Sequence, residues 1–257
     1  KLNFFDYELE YTIKDDKAII FDTEYIIDDD KLLNFVAIDD FEMTHENILY
    51  KTMILTDPLI RVYIVKINLN DKDLRFLVTP YQKGLQRTSD FLTQHGLSYA
   101  INGGGWPTDG TYVTNADASG TTASMSDLYV FNDPWVTVFL SEKNEVTMGE
   151  KPKEQEIYNA VTGFNIIVKD GDINDRVKDK NHPNHKLGYD LLEPRTSIGY
   201  DENNNIMIWI VVDGRQPGFS NGINLYDLAE LQIAEGATQA FNMDGGGSST
   251  LVVAGQG

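Results

Sequence analysis

The chain has 257 residues, 41% of them hydrophobic and 11% aromatic, enough to bury a substantial core as one large domain or two small ones. Forty acidic residues against 21 basic ones give a net charge of −19, which argues against nucleic acid or an anionic membrane as partner; an anionic ligand must find locally clustered cations. The absence of cysteine excludes disulfides, thiolate metal sites and a cysteine nucleophile, and no run approaches the roughly 18 apolar residues that cross a bilayer.

Residues 1–43 are rich in acidic pairs. Asp15-Asp16 and Asp28-Asp29-Asp30 break Ala18-Ile19-Ile20-Phe21 and Tyr25-Ile26-Ile27 into short apolar pieces, which read as an acidic arm or edge-strand extension ahead of a domain over 44–257. From Thr44 the pattern becomes sheet-like. Ile60 to Leu69 alternates in part and Leu74 to Val78 follows a polar turn at Asn70 to Asp73, which predicts a hairpin. Thr88 to Gly96 has hydroxyls suited to an N-cap, a short apolar body and a terminal glycine, predicting a helix that leads into the strand Ser98-Tyr99-Ala100-Ile101. Further strands are expected at Leu128 to Phe131, Val136 to Leu140, and Phe164 to Val168 before an Asp170-Gly171 turn. Asp201 to Asn205 spaces oxygen-bearing side chains as a calcium loop does, but Ile206 replaces the required glycine and no Glu closes the loop, so a hairpin turn is expected. Ile206 to Val212 is a strand. Asn224 caps a helix over Leu225 to Glu235, Gly236 stops it, and the helix feeds a strand ending at Met243. The expected fold class is α+β, with a mixed, strand-rich sheet core and a few flanking helices.

Three strands each deliver a polar residue followed by glycine. Ile101 runs into Asn102-Gly103-Gly104-Gly105, Val212 into Asp213-Gly214-Arg215, and Met243 into Asp244-Gly245-Gly246-Gly247-Ser248-Ser249-Thr250. One such junction reads equally as a plain turn, but three predict a ligand site, because stiff strand ends hold polar groups and glycine admits close backbone approach. Asp213 and Asp244 form a carboxylate pair of the kind glycoside hydrolysis uses. Arg195 and Arg215 supply permanently charged planar forks for phosphate oxygens. The Gly245, Gly246 and Gly247 backbone, with the Ser248 and Ser249 hydroxyls, offers an N–H nest to an anion or sugar oxygen. Asn102 and Trp106, and Ser220, Asn221 and Gly222 after Asp213, suit the hydroxyls and C–H face of a sugar. A nucleophilic Ser248 would need a base, and nothing in the spacing of His45, His95, His182 and His185 marks one.

Arg195-Thr196-Ser197-Ile198-Gly199-Tyr200, Asp213 through Gly222 and Asp244 through Thr250, with Asn102-Gly103-Gly104 ahead of them, resemble the phosphodiester glycosidase family over about residues 45–257. The resemblance implies hydrolysis of a sugar-1-phosphodiester at the anomeric C–O bond, with an N-acetylglucosamine-like sugar. It implies Asp213, Asp244 and Arg195 as catalytic residues. Asn102, Gly103, Trp106, Thr196, Gly214, Arg215, Ser220, Asn221, Gly222, Gly245, Gly246, Gly247, Ser248 and Ser249 would surround the substrate. A phosphodiester leaves as a weakly basic anion, so cationic donors can stand in for a strong general acid. The partner is then a small-molecule or glycan phosphodiester, with no membrane insertion and no required cofactor. An alternative activity, a metal-assisted phosphodiesterase on envelope polymers, would take a divalent cation. A non-catalytic glycan-binding module is the third reading. Gly105-Trp106 stands where many relatives carry two phenylalanines, which leaves the sugar open. An extracytoplasmic location is expected from the resemblance and from a chain that starts at Lys1.

Overall fold

The computed structural model describes residues 47–79, 86–104, 136–149, 157–183 and 185–255, together with the backbone of five short strands before them. Those five are β1 (Thr12–Lys14), β2 (Lys17–Ile20), β3 (Thr23–Ile26), β4 (Phe35–Ala37) and β5 (Phe41–His45). Then come β6 (Ile48–Thr56), β7 (Leu59–Asn68), α1 (Thr88–His95), β8 (Tyr99–Ile101), β9 (Val136–Leu140), β10 (Val146–Gly149), β11 (Asn159–Gly163), β12 (Ile166–Lys169) and β13 (Asp172–Ile173). The chain continues through α2 (Asp175–Lys178), β14 (Arg195–Asp201), β15 (Ile206–Val212), α3 (Leu225–Ala234), β16 (Gln239–Asn242) and β17 (Leu251–Val253). The protein is strand-rich with few helices.

Nine strands make the main sheet, in the order β13-β12-β16-β14-β15-β7-β6-β4 with β5 also on β6; β1-β2-β3, β10-β9-β11 and β17-β8 form smaller sheets. Every pairing among the described residues is antiparallel, where a mixed sheet was expected. The expected boundary at residue 43 falls inside β5, which shares the main sheet with β6.

β15 explains the layering. Its seven residues, Ile206 to Val212, are apolar at both parities because the strand is covered on both faces. Ile206, Ile208, Ile210 and Val212 join a core with Leu225, Leu228 and Ala229 of α3 and Val177 of α2. Met207 joins a second core with Val138 and Leu140 of β9 and Val253 of β17, with Trp209 packed against it. The main sheet is thus the middle of three layers.

α3 starts where Asn224 Oδ1 accepts the Asp227 N–H at 2.8 Å, and it ends at Gly236, whose φ of +102° only glycine adopts readily. Its last turn is pinned to the sheet by charge. Lys51 Nζ on β6 lies 2.6 Å from Glu235 Oε1, both side chains only 3% exposed, and Lys66 Nζ on β7 donates to the Glu235 carbonyl at 2.9 Å. Burial alone would raise the Glu235 carboxyl, but attraction to Lys51 and Lys66 outweighs it and holds the group below the ordinary glutamate range.

Local expectations differ from the structure in two places. Leu74 to Val78 forms no strand, so the expected hairpin is absent; β7 pairs with β6 and β15 instead. The backbone carbonyls of Leu74 and Phe76 are taken by the side-chain amides of Asn144 and Asn159, at 3.2 and 2.6 Å, which substitutes for a ladder. α1 is capped by Arg87 without a side-chain bond, and Thr88 is its first helical residue rather than its cap. The expected strand at Leu128 to Phe131 lies outside the described residues. Asp201 closes the β14–β15 turn, its Oδ1 accepting the N–H groups of Asn203 and Asn204 at 3.0 and 3.1 Å. Among the described residues no helix is long and apolar enough to cross a membrane.

Glu235→Gln leaves Lys51 buried opposite a neutral group and should cost about 3–5 kcal/mol in urea unfolding at neutral pH. Because the folded carboxyl is depressed, the pair's contribution is complete above about pH 4.5 and lost as pH falls below it, so the variant should have a flatter acid limb than the parent.

Candidate active site

β15 and β16 flank β14 and run antiparallel to it, so their C-terminal ends meet the start of β14 at one edge of the sheet. Arg195 pairs with Val212, and Ser197 with Asn242. Continued past these ends, the register sets Asp213 beside Pro194 and Asp244 beside Arg195, two strand spacings, or about 10 Å, apart across the sheet.

Glycines make that edge possible. A Cβ on Gly214 would sit 2.6 Å from Pro194 N, one on Gly222 2.6 Å from Glu193 N, and one on Gly245 2.9 Å from Pro194 O. Gly222 also has φ +96°, and Gly246 φ +61°. Glu193 and Ile223 exchange backbone hydrogen bonds at 3.3 and 3.0 Å, and Pro194 O accepts the Gly246 N–H at 2.9 Å. The Glu193-Pro194-Arg195 segment is therefore gripped by both motif loops. The glycine loop is not an open nest of donors: the Gly245 N–H bonds Asp244 Oδ1 at 3.0 Å, and those of Ser248 and Ser249 bond the Gly245 and Gly246 carbonyls at 3.2 and 3.3 Å. The Gly245 contact fixes the Asp244 carboxylate.

Asp244 lines a cavity of about 490 Å³ whose wall carries Lys186, Arg195 and Arg215, with Glu193, Phe164 and Tyr189. Arg195 donates from Nη2 to the Gly188 and Leu191 carbonyls at 2.7 and 3.3 Å and from Nε to the Ile223 carbonyl at 3.4 Å. Burial lowers its pKa below the ordinary guanidinium value and the Arg215 charge adds to this, while Glu193 opposes both. Arg215 bonds the Glu193 carboxylate through Nε, which raises its pKa, and its guanidinium rests against the Gly246 backbone. Its φ of +58° is rare for a residue with a side chain. Lys186 escaped the sequence reading because it lies in a polar stretch without a motif. The one-turn helix Leu187–Tyr189 follows it, steadied by the Tyr189 hydroxyl on Asn165 Oδ1 at 2.8 Å and by His185, whose Nδ1 lies 2.8 Å from the Arg176 carbonyl.

Asp213 does not line this cavity. Its Oδ2 accepts the Tyr63 hydroxyl at 2.9 Å, and burial together with the Asp213 charge pushes the Tyr63 phenol well above its usual range. Tyr63 packs against the second core, on the sheet face opposite α3. The two aspartates thus share a sheet edge but not a cavity. Ser220 is fully buried, donating to the Asp213 carbonyl at 2.6 Å and accepting the Arg61 N–H at 3.0 Å, and the Asn221 N–H reaches the Leu59 carbonyl at 2.8 Å. The Ser220 hydroxyl and the Asn221 backbone thus hold the loop. Phe219, 39% exposed, lies under the Arg61 guanidinium at 4.3 Å. Thr196 is fully buried and its hydroxyl donates to Asn102 Oδ1 at 2.7 Å. Asn102 Nδ2 in turn donates to the Asp244 carbonyl at 2.9 Å, so the third strand end meets that of β16.

A second, more apolar cavity of about 970 Å³ lies on the other face, lined by Trp209, Met207, Phe76 and Ile198 and reached by Asn102, Gly103 and Ser248. Met243, Asp244 and Gly247 border both cavities. Gly247 and Ser248 are exposed at the tip of the loop, and the Ser249 hydroxyl is buried. Trp106 lies outside the described residues. Among the described residues no three His, Asp or Glu side chains gather as a metal site.

A family model described as phosphodiester glycosidase matches residues 93–257. The chain belongs to the phosphodiester glycosidase family. The matched span contains Asn102, Arg195, Asp213 and Asp244, and leaves out β7 with Tyr63. The bovine (Bos taurus) N-acetylglucosamine-1-phosphodiester alpha-N-acetylglucosaminidase is 30% identical over 127 residues, 47% of this chain and 23% of that protein. An uncharacterized SPbeta prophage-derived protein of Bacillus subtilis is 44% identical over 63 residues, 24% of this chain and 10% of that one. The chain therefore spans less than a quarter of the curated relatives' length. Its fold resembles that of the zebrafish N-acetylglucosamine-1-phosphodiester alpha-N-acetylglucosaminidase catalytic domain, auto-inhibited by pro-peptide, with a TM-score of 0.56 at 18% identity over 80% of this chain and 72% of that one.

Gly222→Ala puts a methyl into the Glu193 backbone at a positive φ and should destabilise the fold by about 1–3 kcal/mol in denaturant unfolding. Gly247→Ala meets nothing within 4 Å and should leave the midpoint within about 0.5 kcal/mol of the parent.

Proposed function

We propose that residues 44–257 form a catalytic domain that hydrolyses a sugar-1-phosphodiester at the anomeric C–O bond. One observation carries the reading: in a chain of net charge −19, a carboxylate fixed by a backbone N–H borders a cavity walled by three cations. Asp244 is the acting carboxylate. It either attacks the anomeric carbon or takes the proton of an attacking water; the C1–O bond breaks, its electron pair leaves with the phosphate, and water supplies the hydroxyl left on the sugar. Arg195, Arg215 and Lys186 stabilise the charge gathering on the leaving phosphomonoester. Arg195 suits this best, since carbonyl oxygens orient it without neutralising it.

Asp213 is given the supporting part. With Tyr63 and Ser220 it fixes the loop that presents Gly214 and Arg215. The exposed Gly247 and Ser248 face the sugar, and the activity named for the bovine relative makes N-acetylglucosamine the first sugar to try. The reading includes a location outside the cytoplasm, which fractionation of cells making the full gene product checks.

Hydrolysis of an N-acetylglucosamine-1-phosphodiester in oxygen-18 water should put the label in the sugar; label in the phosphate would replace this reading with phosphorus–oxygen cleavage. Asp244→Asn should lower kcat by about 10²–10⁴, Arg195→Gln by about 10²–10³, and Asp213→Asn by less than about tenfold. Equal losses at both aspartates would instead restore the paired-carboxylate mechanism.

A further inference from the structure

We propose that Asn102 is a positioning residue that sets Asp244 through the backbone, and that it does not touch the substrate. A side-chain amide has two N–H donors and two acceptor lone pairs, and all four are used inside the protein. Nδ2 donates to the Asp244 carbonyl at 2.9 Å and to the Gly103 carbonyl at 3.2 Å. Oδ1 accepts the Thr196 hydroxyl at 2.7 Å and the Thr250 N–H at 3.1 Å. No valence is left for a sugar hydroxyl, the role its residue type suggests.

The four partners are spread along the chain: Gly103 just past β8, Thr196 in β14, Asp244 two residues after β16 and Thr250 just before β17. Thr196 also accepts the Met243 N–H through its carbonyl at 2.7 Å. A ring therefore closes, running from the Asn102 amide to Thr196, across to Met243, along the chain to Asp244 and back to the amide. It holds the Asp244 peptide from both sides. The ring fixes the Asp244 peptide and the Gly245 N–H fixes the carboxylate against it, so the direction of the carboxylate depends on the ring as well as on that contact. The same contacts join the outer β8–β17 sheet to the main sheet at the site.

The functional part of the inference rests on Asp244 as the acting carboxylate. The test uses Asn102→Asp, which has the same shape and can accept both Oδ1 bonds but cannot donate to either carbonyl. It should lower kcat about 100-fold while KM changes less than about threefold. Combined with Asp244→Asn, it should add less than about threefold, because the amide acts through Asp244; a merely structural role would multiply the two losses. A raised KM with unchanged kcat would show substrate contact and overturn the proposal, as would multiplicative losses. Hydrogen exchange reads the same point without turnover: amides of residues 244–250 should exchange faster in Asn102→Asp, with those of α3 unchanged. If the parent hydrolyses no sugar phosphodiester, the proposed activity fails, while the exchange result still decides whether Asn102 holds Asp244. Unchanged exchange at 244–250 overturns that hold. Should Asn102→Asp not fold, Thr196→Val, which removes the hydroxyl orienting the amide, takes its place in all three measurements.

Discussion

Three peptide segments lie so close around Glu193-Pro194-Arg195 that no Cβ fits between them, and the remaining features of the site hang on that closeness. Gly214 and Gly222 approach from one side, Gly245 and Gly246 from the other. Ordinary sheet spacing would give a row of strand ends facing solvent. Here the loops fold back onto the start of β14, and Arg195 enters a cavity instead of pointing into water. The main sheet makes this rigid, since it is covered on one face by α3 and on the other by smaller sheets.

The two arginines at that edge differ in kind. Arg195 is held by carbonyl oxygens, so it is oriented while keeping its full charge, with burial and Arg215 both working against that charge. Arg215 is exposed and already paired with Glu193. An arriving anion relieves Arg195 directly, whereas at Arg215 it competes with a carboxylate. A strongly acidic chain can in this way present a local cluster of cations against its net charge.

Much of this was legible in the sequence, for a physical reason. Strand, then one polar residue, then glycine is a pattern that only a few geometries satisfy, and β15 and β16 satisfy it at the same sheet edge. α3 was readable from Asn224 and Gly236, because caps are local. The close approach that glycine permits is legible, and the missing Cβ is what counts; the N–H groups, by contrast, are mostly consumed inside the protein. Asn102 has the residue type of a sugar ligand, but residue type says nothing about how many of its bonds are already made. The hairpin at Leu74 to Val78 failed because Asn144 and Asn159, about 70 to 80 positions away, satisfy that backbone. Lys186 was invisible because its neighbourhood is set by Tyr189 and His185 and not by any spacing. Asp213 and Asp244 looked equivalent in one dimension, and only the pleat separates their faces.

The left-handed backbone of Arg215 bears on which residues the position can hold. Glycine or asparagine would occupy that conformation with less strain but would leave Glu193 without this partner, so backbone and ion pair pull in opposite directions at this position. Position 215 therefore trades local backbone ease against a charge held at the cavity wall, and a glycine there would relax the loop while taking that charge away.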